Sequence, residues 1–400
     1  MTLRTPIRAL LLSVMIAALG ACSKPPQITA PQGVEITPLK TYSRIESWAL
    51  LKFAGVKSLG AAYAVDTYHV NYPVTADDGT VSRASGLLAL PRDATPRRIV
   101  SFQHGTTTNR ENVPSRLDLT GIAASVIFAG NGYMLLAPDY LGLGDSPGVH
   151  GYYVASDEAR AVTSFIAAAR QIPHAPSGPV FLSGFSQGGH VTLAAMRQME
   201  SDGERLLGAA PVATAIDIRH LSLGIALEGG SPSDTLYLAY IARGFADHYG
   251  HALDSVLTPE AAALVETLFG TPHSGAEIVA ALPADPRVIF QTELLEAFDK
   301  GGTHWFLEAI EGNDFTDMRP KAPLRLYYGE SDIDVVPQEA IKGAERFTTS
   351  GTNVRAVNVG PVNHDASLLA AAPLIYDWLQ ELEACAAETA INPDLCDTKG

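Results

Sequence analysis

The body of the chain alternates short apolar segments with helical ones, and this alternation limits its fold most strongly. Six segments are typical of buried strands that end near Pro or Gly, at 84–90, 98–104, 133–137, 179–183, 324–328 and 354–359. Segments 158–170, 187–200 and 368–382 have apolar residues at helical spacing. Such alternation predicts an α/β fold, with a mostly parallel central sheet and helices on both faces.

The pattern changes between residues 217 and 319, where helical segments dominate and few strands are indicated. We interpret this stretch as a helical cap inserted over one edge of the sheet, with the core at 39–216 and 320–400. Ordinary connecting structure is the alternative interpretation.

A serine lies at the turn between a predicted strand and a predicted helix, in Gly184-Phe185-Ser186-Gln187-Gly188. A nucleophilic Ser at such a turn needs a tight, strained backbone, which small flanking residues allow. The following helix N-terminus favours developing negative charge. Ser186 is therefore the candidate nucleophile, and a structural turn with a solvated Ser is the alternative. His190 lies one helical turn later and is expected to pack or to hydrogen-bond locally.

A second polar segment, HGTTT at residues 104–108, follows an earlier strand. Attack on an acyl carbon creates an oxyanion, which needs two preorganised backbone N–H donors. We expect these donors from Gln187, the residue after the nucleophile, and from Thr106. A polar turn that buries His104 for structural reasons is the alternative.

Candidates for a base and an acid follow the two late strands, in GESDIDVVP at 329–337 and GPVNHD at 360–365. Loops at the carboxyl edge of a parallel sheet can meet there. His364 would accept the proton of Ser186, and a buried carboxylate would orient the imidazole. The residues themselves leave Asp332 and Asp334 open as that carboxylate.

These motifs, with APDYLGLGDS at 137–146, resemble the α/β-hydrolase superfamily over residues 60–382. They are most similar to its secretory-lipase group of esterases and lipases. The resemblance implies the α/β-hydrolase fold and, three residues after a Gly, Asp332 as the acid. The following Pro337 departs from the family spacing, because it lies five residues after Asp332 and three after Asp334. Asp334 therefore stays a candidate.

The constellation predicts cleavage of carboxylic esters through an acyl-enzyme, with a small ester or lipid as substrate and no metal or organic cofactor. A serine peptidase or acylaminoacyl hydrolase would use the same residues. A non-catalytic lipoprotein that binds apolar ligands is the third hypothesis. We interpret the Met and aromatic residues of the cap as its core. A further hypothesis is that five cap residues line an acyl pocket: Phe245, Tyr249, Leu264, Phe269 and Trp305.

The N-terminus predicts export. Arg4 and Arg8 precede a short apolar run that ends in Leu-Gly-Ala-Cys at 19–22, which resembles the lipobox of bacterial lipoproteins. The resemblance implies a signal peptide at 1–21, acylation of Cys22, a membrane anchor and, with Ser23 next, the outer membrane. Residues 22–38 are predicted to be a flexible tether. A plain secretory signal is the alternative.

Two further cysteines, Cys385 and Cys396, lie near the C-terminus. An oxidising compartment favours a disulfide between them, and two free thiols are the alternative. Neither has a partner His at metal-ligand spacing, so a zinc site is not expected. The net charge of −15 also argues against nucleic-acid binding, because phosphate contacts need clustered Lys and Arg.

Overall fold

The computed structural model describes residues 24–56, 58–76, 78–269, 271–348 and 353–389. Its described strands are β1 (Glu35–Tyr42), β2 (Val65–Thr75), β3 (Val81–Pro91), β4 (Ile99–Gln103), β5 (Met134–Pro138), β6 (Val180–Phe185), β7 (Leu206–Val212), β8 (Leu324–Tyr328) and β9 (Val354–Asn358). They form one sheet in the order β1-β2-β3-β5-β4-β6-β7-β8-β9. Neighbouring strands pair antiparallel from β1 through β2 and β3 to β5. From β5 through β4, β6, β7 and β8 to β9, neighbouring strands pair in parallel.

The helices alternate with the strands of the parallel part. They are α1 (Arg44–Phe53), α2 (Leu119–Phe128), α3 (Ala155–Ala169), α4 (Gln187–Ser201), α5 (Leu223–Leu227), α6 (Asp234–Tyr249), α7 (Pro259–Phe269), α8 (Gly275–Ala281), α9 (Thr292–Lys300), α10 (Trp305–Gly312), α11 (Pro337–Thr348) and α12 (His364–Thr389).

Two hydrophobic clusters cover the two faces of the sheet. One contains buried residues of α3, α4 and α11, and the other contains buried residues of α1, α2 and α12. All five residues of β4 are buried, as expected for a central strand with helices on both sides. The predicted α/β architecture with a mostly parallel, doubly covered sheet is therefore confirmed.

The predicted tether at 22–38 extends too far, because β1 begins at Glu35 and pairs antiparallel with β2. Val34 and Ile36 are buried against the main core, at 8% and 6% exposure. Their apolar contacts and the edge pairing order a segment whose Pro-rich composition indicated a flexible chain. The tether prediction is wrong for at least residues 35–38.

Helices α5–α10 follow one another between β7 and β8 and have a hydrophobic cluster of their own. They fall within the predicted cap at 217–319. Two buried carboxylates hold the start of this segment: Glu339 of α11 fastens it to the core, and Asp314 ties it to the end of the cap segment. Asp314 accepts the N–H groups of Ile218 and Arg219, and Glu339 accepts those of Ile216 and Asp217. In the described part of the chain, no helix combines the length and apolarity that a membrane crossing requires.

Candidate active site

Ser186 occupies the sharp turn between β6 and α4. Its backbone has a positive φ, which residues with a side chain rarely adopt, with φ +56° and ψ −119°. Glycines make the turn sterically feasible. A Cβ at Gly184 would collide with the backbone of Gly188, and a Cβ at Gly188 would collide with the carbonyl of Gln103 on β4. The strain is thus imposed by close packing of the turn against the neighbouring strand.

The structure brings Ser186, His364 and Asp332 into one hydrogen-bonded chain. His364 Nε2 is 2.8 Å from Ser186 Oγ, and His364 Nδ1 is 2.8 Å from Asp332 Oδ2. A carboxylate only accepts, so Nδ1–H donates to Asp332 and Nε2 is free to accept the Ser186 proton. All three residues are buried, at 6% exposure or less. The arrangement can deprotonate the hydroxyl and stabilise the resulting imidazolium.

The two candidate acids have different partners. Asp332 Oδ1 accepts the N–H groups of Asp334 and Val335, and its Oδ2 accepts from His364. Asp334 Oδ1 instead accepts the hydroxyl proton of Ser231, from the segment that precedes α6. The geometry therefore selects Asp332 as the carboxylate that faces the imidazole.

Two opposing effects set the protonation of His364. Burial disfavours its charged form, but the hydrogen bond and the negative charge of Asp332 outweigh burial, and Asp334 and Asp365 add to them. The pKa of His364 is consequently raised above its ordinary value. A carboxylate-supported imidazole of this kind is a stronger proton acceptor than a free one.

The predicted oxyanion donors lie beside Ser186. Gln187 begins α4, and backbone N–H groups in the first turn of a helix have no acceptor within that helix. Thr106 lines the same cavity as Ser186 and His364, and its hydroxyl lies 2.7 Å from the Tyr152 hydroxyl. Gln187 therefore adjoins Ser186 in the chain, and the loop after β4 places Thr106 at the cavity that Ser186 lines.

A buried polar network behind Ser186 was missed by sequence reasoning. Glu158 Oε1 accepts from the Gln187 side chain at 3.0 Å, and Glu158 Oε2 accepts from His190 Nδ1 at 2.6 Å. His190 Nε2 donates to the carbonyl of Asn313, at the end of the cap segment. Both nitrogens of His190 are therefore engaged in buried hydrogen bonds, one with Glu158 and one with the backbone that follows α10. His190 was expected to pack or to hydrogen-bond locally, but its two hydrogen-bond partners lie 32 and 123 positions away in the sequence.

The Gln187 side chain is held from a second side as well. His150 Nδ1 donates to the carbonyl of Leu141, and His150 Nε2 accepts from Gln187 Nε2 at 2.8 Å. Burial lowers the pKa of His150, which keeps this imidazole neutral and able to accept. A sequence signal for the network exists, because Glu158 is a charged residue on the apolar face of α3.

Ser186 and His364 lie between two cavities. One has a free volume of about 60 Å³, and the other one of about 160 Å³. The smaller cavity is closed mainly by apolar residues of the cap segment and of the Asp332 loop, including Ile218, Leu223, Ile225, Leu238, Ile241, Val335 and Val336. The larger one is lined by the 104–107 loop and by Tyr237.

None of the five cap residues that the sequence indicated for an acyl pocket lines either of these cavities. Phe245 is fully buried and packs against Tyr249 and Phe306. Trp305 stacks on His251, and Phe269 packs against Tyr240. The acyl-pocket hypothesis was wrong for these residues. Phe245 belongs to the core of the cap, Tyr249 is 41% exposed, and the cap residues that line the smaller cavity are mainly aliphatic.

Ligand atoms of Asp332, Asp334 and His364 lie within 4.8 Å of one another, close enough for a cation to bridge them. Both nitrogens of His364 already have hydrogen-bond partners, and Asp334 is paired with Ser231. The atoms of His364 that would bind a cation are therefore already used in hydrogen bonds with Ser186 and Asp332. Two other predicted residues, Cys22 and Cys396, lie outside the described residues, and Cys385 lies near the end of α12.

Comparisons with known proteins agree with the geometry. Residues 123–294 match the protein family described as serine aminopeptidase, S33. A search of curated protein sequences finds no match.

Solved structures similar to this chain include a candidate hydrolase from Legionella pneumophila, with 25% identity, a TM-score of 0.80, and coverage of 90% of this chain and 98% of that one. The rice cell wall degrading esterase LipA from Xanthomonas oryzae has 25% identity and a TM-score of 0.73, over 86% of this chain and 95% of that one. Candida antarctica lipase A has 16% identity and a TM-score of 0.62, over 86% and 81%, a likeness of fold alone. Together these comparisons give this chain the α/β-hydrolase fold and support a hydrolase.

Proposed function

We propose that the protein is a serine hydrolase that cleaves carboxylic esters through an acyl-enzyme. The observation that carries the proposal is the buried chain of hydrogen bonds from Ser186 to His364 to Asp332, open to two cavities. The rice cell wall degrading esterase among the structural neighbours favours esters as the substrate class.

The reaction proceeds in two halves. His364 Nε2 takes the proton of Ser186 as Oγ attacks the acyl carbon, and His364 returns that proton to the departing alcohol. Water then gives its proton to His364, attacks the acyl carbon and releases the acid, and the proton returns to Ser186. Asp332 stabilises the imidazolium that forms in each half. The backbone N–H groups of Gln187 and Thr106 hold the oxyanion, and loss of one such donor typically costs about 10²–10³ in rate.

The cavities indicate a small substrate. One water-sized group needs about 10–15 Å³ of such free volume, so a cavity of about 60 Å³ holds about four to six non-hydrogen atoms. We assign the acyl group to this apolar cavity and the alcohol to the larger, more polar cavity beside Thr106. Short-chain acyl esters are therefore the expected class.

A fluorophosphonate probe and a panel of p-nitrophenyl esters test the proposal. The probe should label Ser186, as mapped by mass spectrometry, and Ser186→Ala should abolish labelling and lower kcat by about 10⁴ or more. A protein that binds ligands without catalysis would leave the probe unreacted. Such a result, with a folded protein and no esterase activity, would overturn the proposal.

A serine peptidase or acylaminoacyl hydrolase is the second candidate, and the match of residues 123–294 to the serine aminopeptidase family favours it. Its catalytic residues would be the same, so only the substrate separates the two. Parallel assays on esters and on Xaa-Pro amides distinguish them. A higher kcat/KM for the amides would replace the ester assignment.

We further propose that the protein is an exported lipoprotein of the outer membrane, cleaved after residue 21 and anchored through acylated Cys22. The support is the lipobox-like sequence at 19–22. Labelled palmitate should enter the protein, Cys22→Ala should abolish the label, and membrane fractionation reports the location. We also propose a disulfide between Cys385 and Cys396, which peptide mapping without reduction tests.

A further inference from the structure

Helix α1 presents an apolar face to solvent. Ile45, Trp48 and Phe53 are 68%, 52% and 65% exposed, and their spacing places them on one side of the helix. The opposite side packs Ser47 and Leu51 into the protein. Among the described helices, no other one exposes three large hydrophobic side chains. Such grouping on one short helix marks a contact surface.

The N-terminus of α1 lies close to Lys24, which follows the proposed anchor residue Cys22 by two positions. The carbonyl of Lys24 lies 3.4 Å from Arg92 Nη2, and the same nitrogen donates to Thr41 Oγ1 at 2.9 Å. Ser43, two residues after Thr41, caps the N-terminus of α1. Cys22 precedes Lys24 by two residues, which is at most about 7 Å of extended chain. Acyl chains on Cys22 would therefore enter a bilayer beside the first turn of α1.

The charge of α1 suits a membrane surface. The helix contains Arg44 and Lys52, in a protein with a net charge of −15. Its acidic residue, Glu46, is turned inward, where it accepts the N–H of Ser43 and lies 3.8 Å from Lys40. Basic residues beside an apolar face containing Trp are typical of helices that lie in the interface of anionic bilayers.

We propose that the α1 face, defined as Ile45, Trp48 and Phe53, docks on the surface of the lipid bilayer that holds the Cys22 acyl chains. The helix lies parallel to the membrane plane, with about 12 Å between Ile45 and Phe53 along its axis. This second contact fixes the orientation of the enzyme, which a lipid anchor alone leaves free. The inference rests on the proposed lipidation of Cys22.

Quenching of Trp48 by bilayer lipids tests the docking. The full chain, processed in a bacterial host, is placed in phosphatidylethanolamine and phosphatidylglycerol vesicles whose acyl chains carry bromine. The quenched fraction should correspond to one of the three Trp residues, since Trp305 is in the cap and Trp378 is in the core. Trp48→Phe should remove the quenchable emission.

A double substitution on α1 distinguishes membrane contact by the α1 face from membrane attachment by the Cys22 anchor. Ile45→Asp with Phe53→Asp should greatly reduce quenching of Trp48, whereas Val288→Asp, at a cap position that is 54% exposed, should not. Equal quenching of wild type and Trp48→Phe, or none in vesicle-bound wild type, overturns the docking. If palmitate is incorporated and Trp48 stays unquenched, the docking fails while the anchor and the hydrolase proposals stand. If palmitate is absent and Trp48 is quenched, the α1 face binds bilayers without an anchor, which overturns the inference in the form stated here and leaves the hydrolase proposal standing.

Discussion

At the scale of single residues, two carboxylates separated by one position have different tasks. Asp332 is buried and directed at the imidazole of His364, while Asp334 reaches across to Ser231 at the start of the cap helix α6. The side chains are chemically the same, so their partners decide their roles. Replacing each with its amide separates a direct effect on the imidazole from an effect on the cap.

Asp332→Asn should lower kcat by about 10⁴, because the amide can place the imidazole in the wrong tautomer and cannot stabilise its charge. Asp334→Asn should cost far less, since Asp334 makes no hydrogen bond with His364. Steady-state hydrolysis of a p-nitrophenyl ester by both variants measures the difference. A larger loss in Asp334→Asn would transfer the acid role to that residue.

The raised pKa of His364 sets the pH dependence of catalysis. Only the neutral imidazole can accept the Ser186 proton, so kcat/KM should fall as the pH drops through that pKa. The acid limb of the profile should therefore lie above the ordinary His value of about 6.5. Asp334→Asn removes a contributing negative charge and should move the limb to lower pH. An unshifted limb in this variant would contradict the assigned cause.

At the scale of elements, helices α3 and α4 are joined by the buried Glu158–His190 hydrogen bond, and His190 also contacts the carbonyl of Asn313 after α10. This pair connects the helix that follows the nucleophile with the end of the cap segment. Truncating Glu158 leaves the buried polar groups of His190 and Gln187 without their partner, which is costlier than losing an exposed pair.

Glu158→Ala should therefore lower the free energy of unfolding by about 3–5 kcal/mol. Glu204→Ala, which removes the half-exposed partner of Arg170, is the matched control and should cost at most about 1 kcal/mol. Urea unfolding followed by Trp fluorescence measures both variants. Similar losses in the two variants would show that burial of the first pair does not matter.

The sequence predicted those elements whose signal is local. Apolar runs ending at Pro or Gly located β4, β5, β6 and β8, and the Gly-rich turn located Ser186. The pairing of Glu158 with His190 spans 32 positions and depends on how two helices pack, so no local pattern contains it. Strand β1 was missed for a similar reason, because its order comes from pairing with β2.

At the scale of the whole molecule, the cap segment and the sheet edge build the small cavity jointly. Cap residues Leu223 and Ile241 face Ser186 and His364 across it. Aromatic residues in a helical segment gave no indication of which side faces the core of the cap, which explains why the predicted lining was wrong. Substrate length should consequently depend on the aliphatic residues of the cap.

Leu223→Ala should raise kcat/KM for longer acyl esters relative to acetate, because it enlarges the cavity of about 60 Å³. Leu227→Ala, on the same helix but in the cap core, is the control. Both changes should destabilise the protein by about 2–5 kcal/mol, yet only the first should alter the chain-length profile. An identical change of profile in both variants would mean that loosening of the cap is responsible.

The backbone at Ser186 has a consequence for engineering. A residue with a side chain is held there in a conformation that glycine adopts far more readily. Ser186→Gly would relax the turn, so a screen that rewards heat tolerance alone would tend to select inactive proteins. Directed evolution of a hardier catalyst from this chain must therefore score turnover and thermal resistance together.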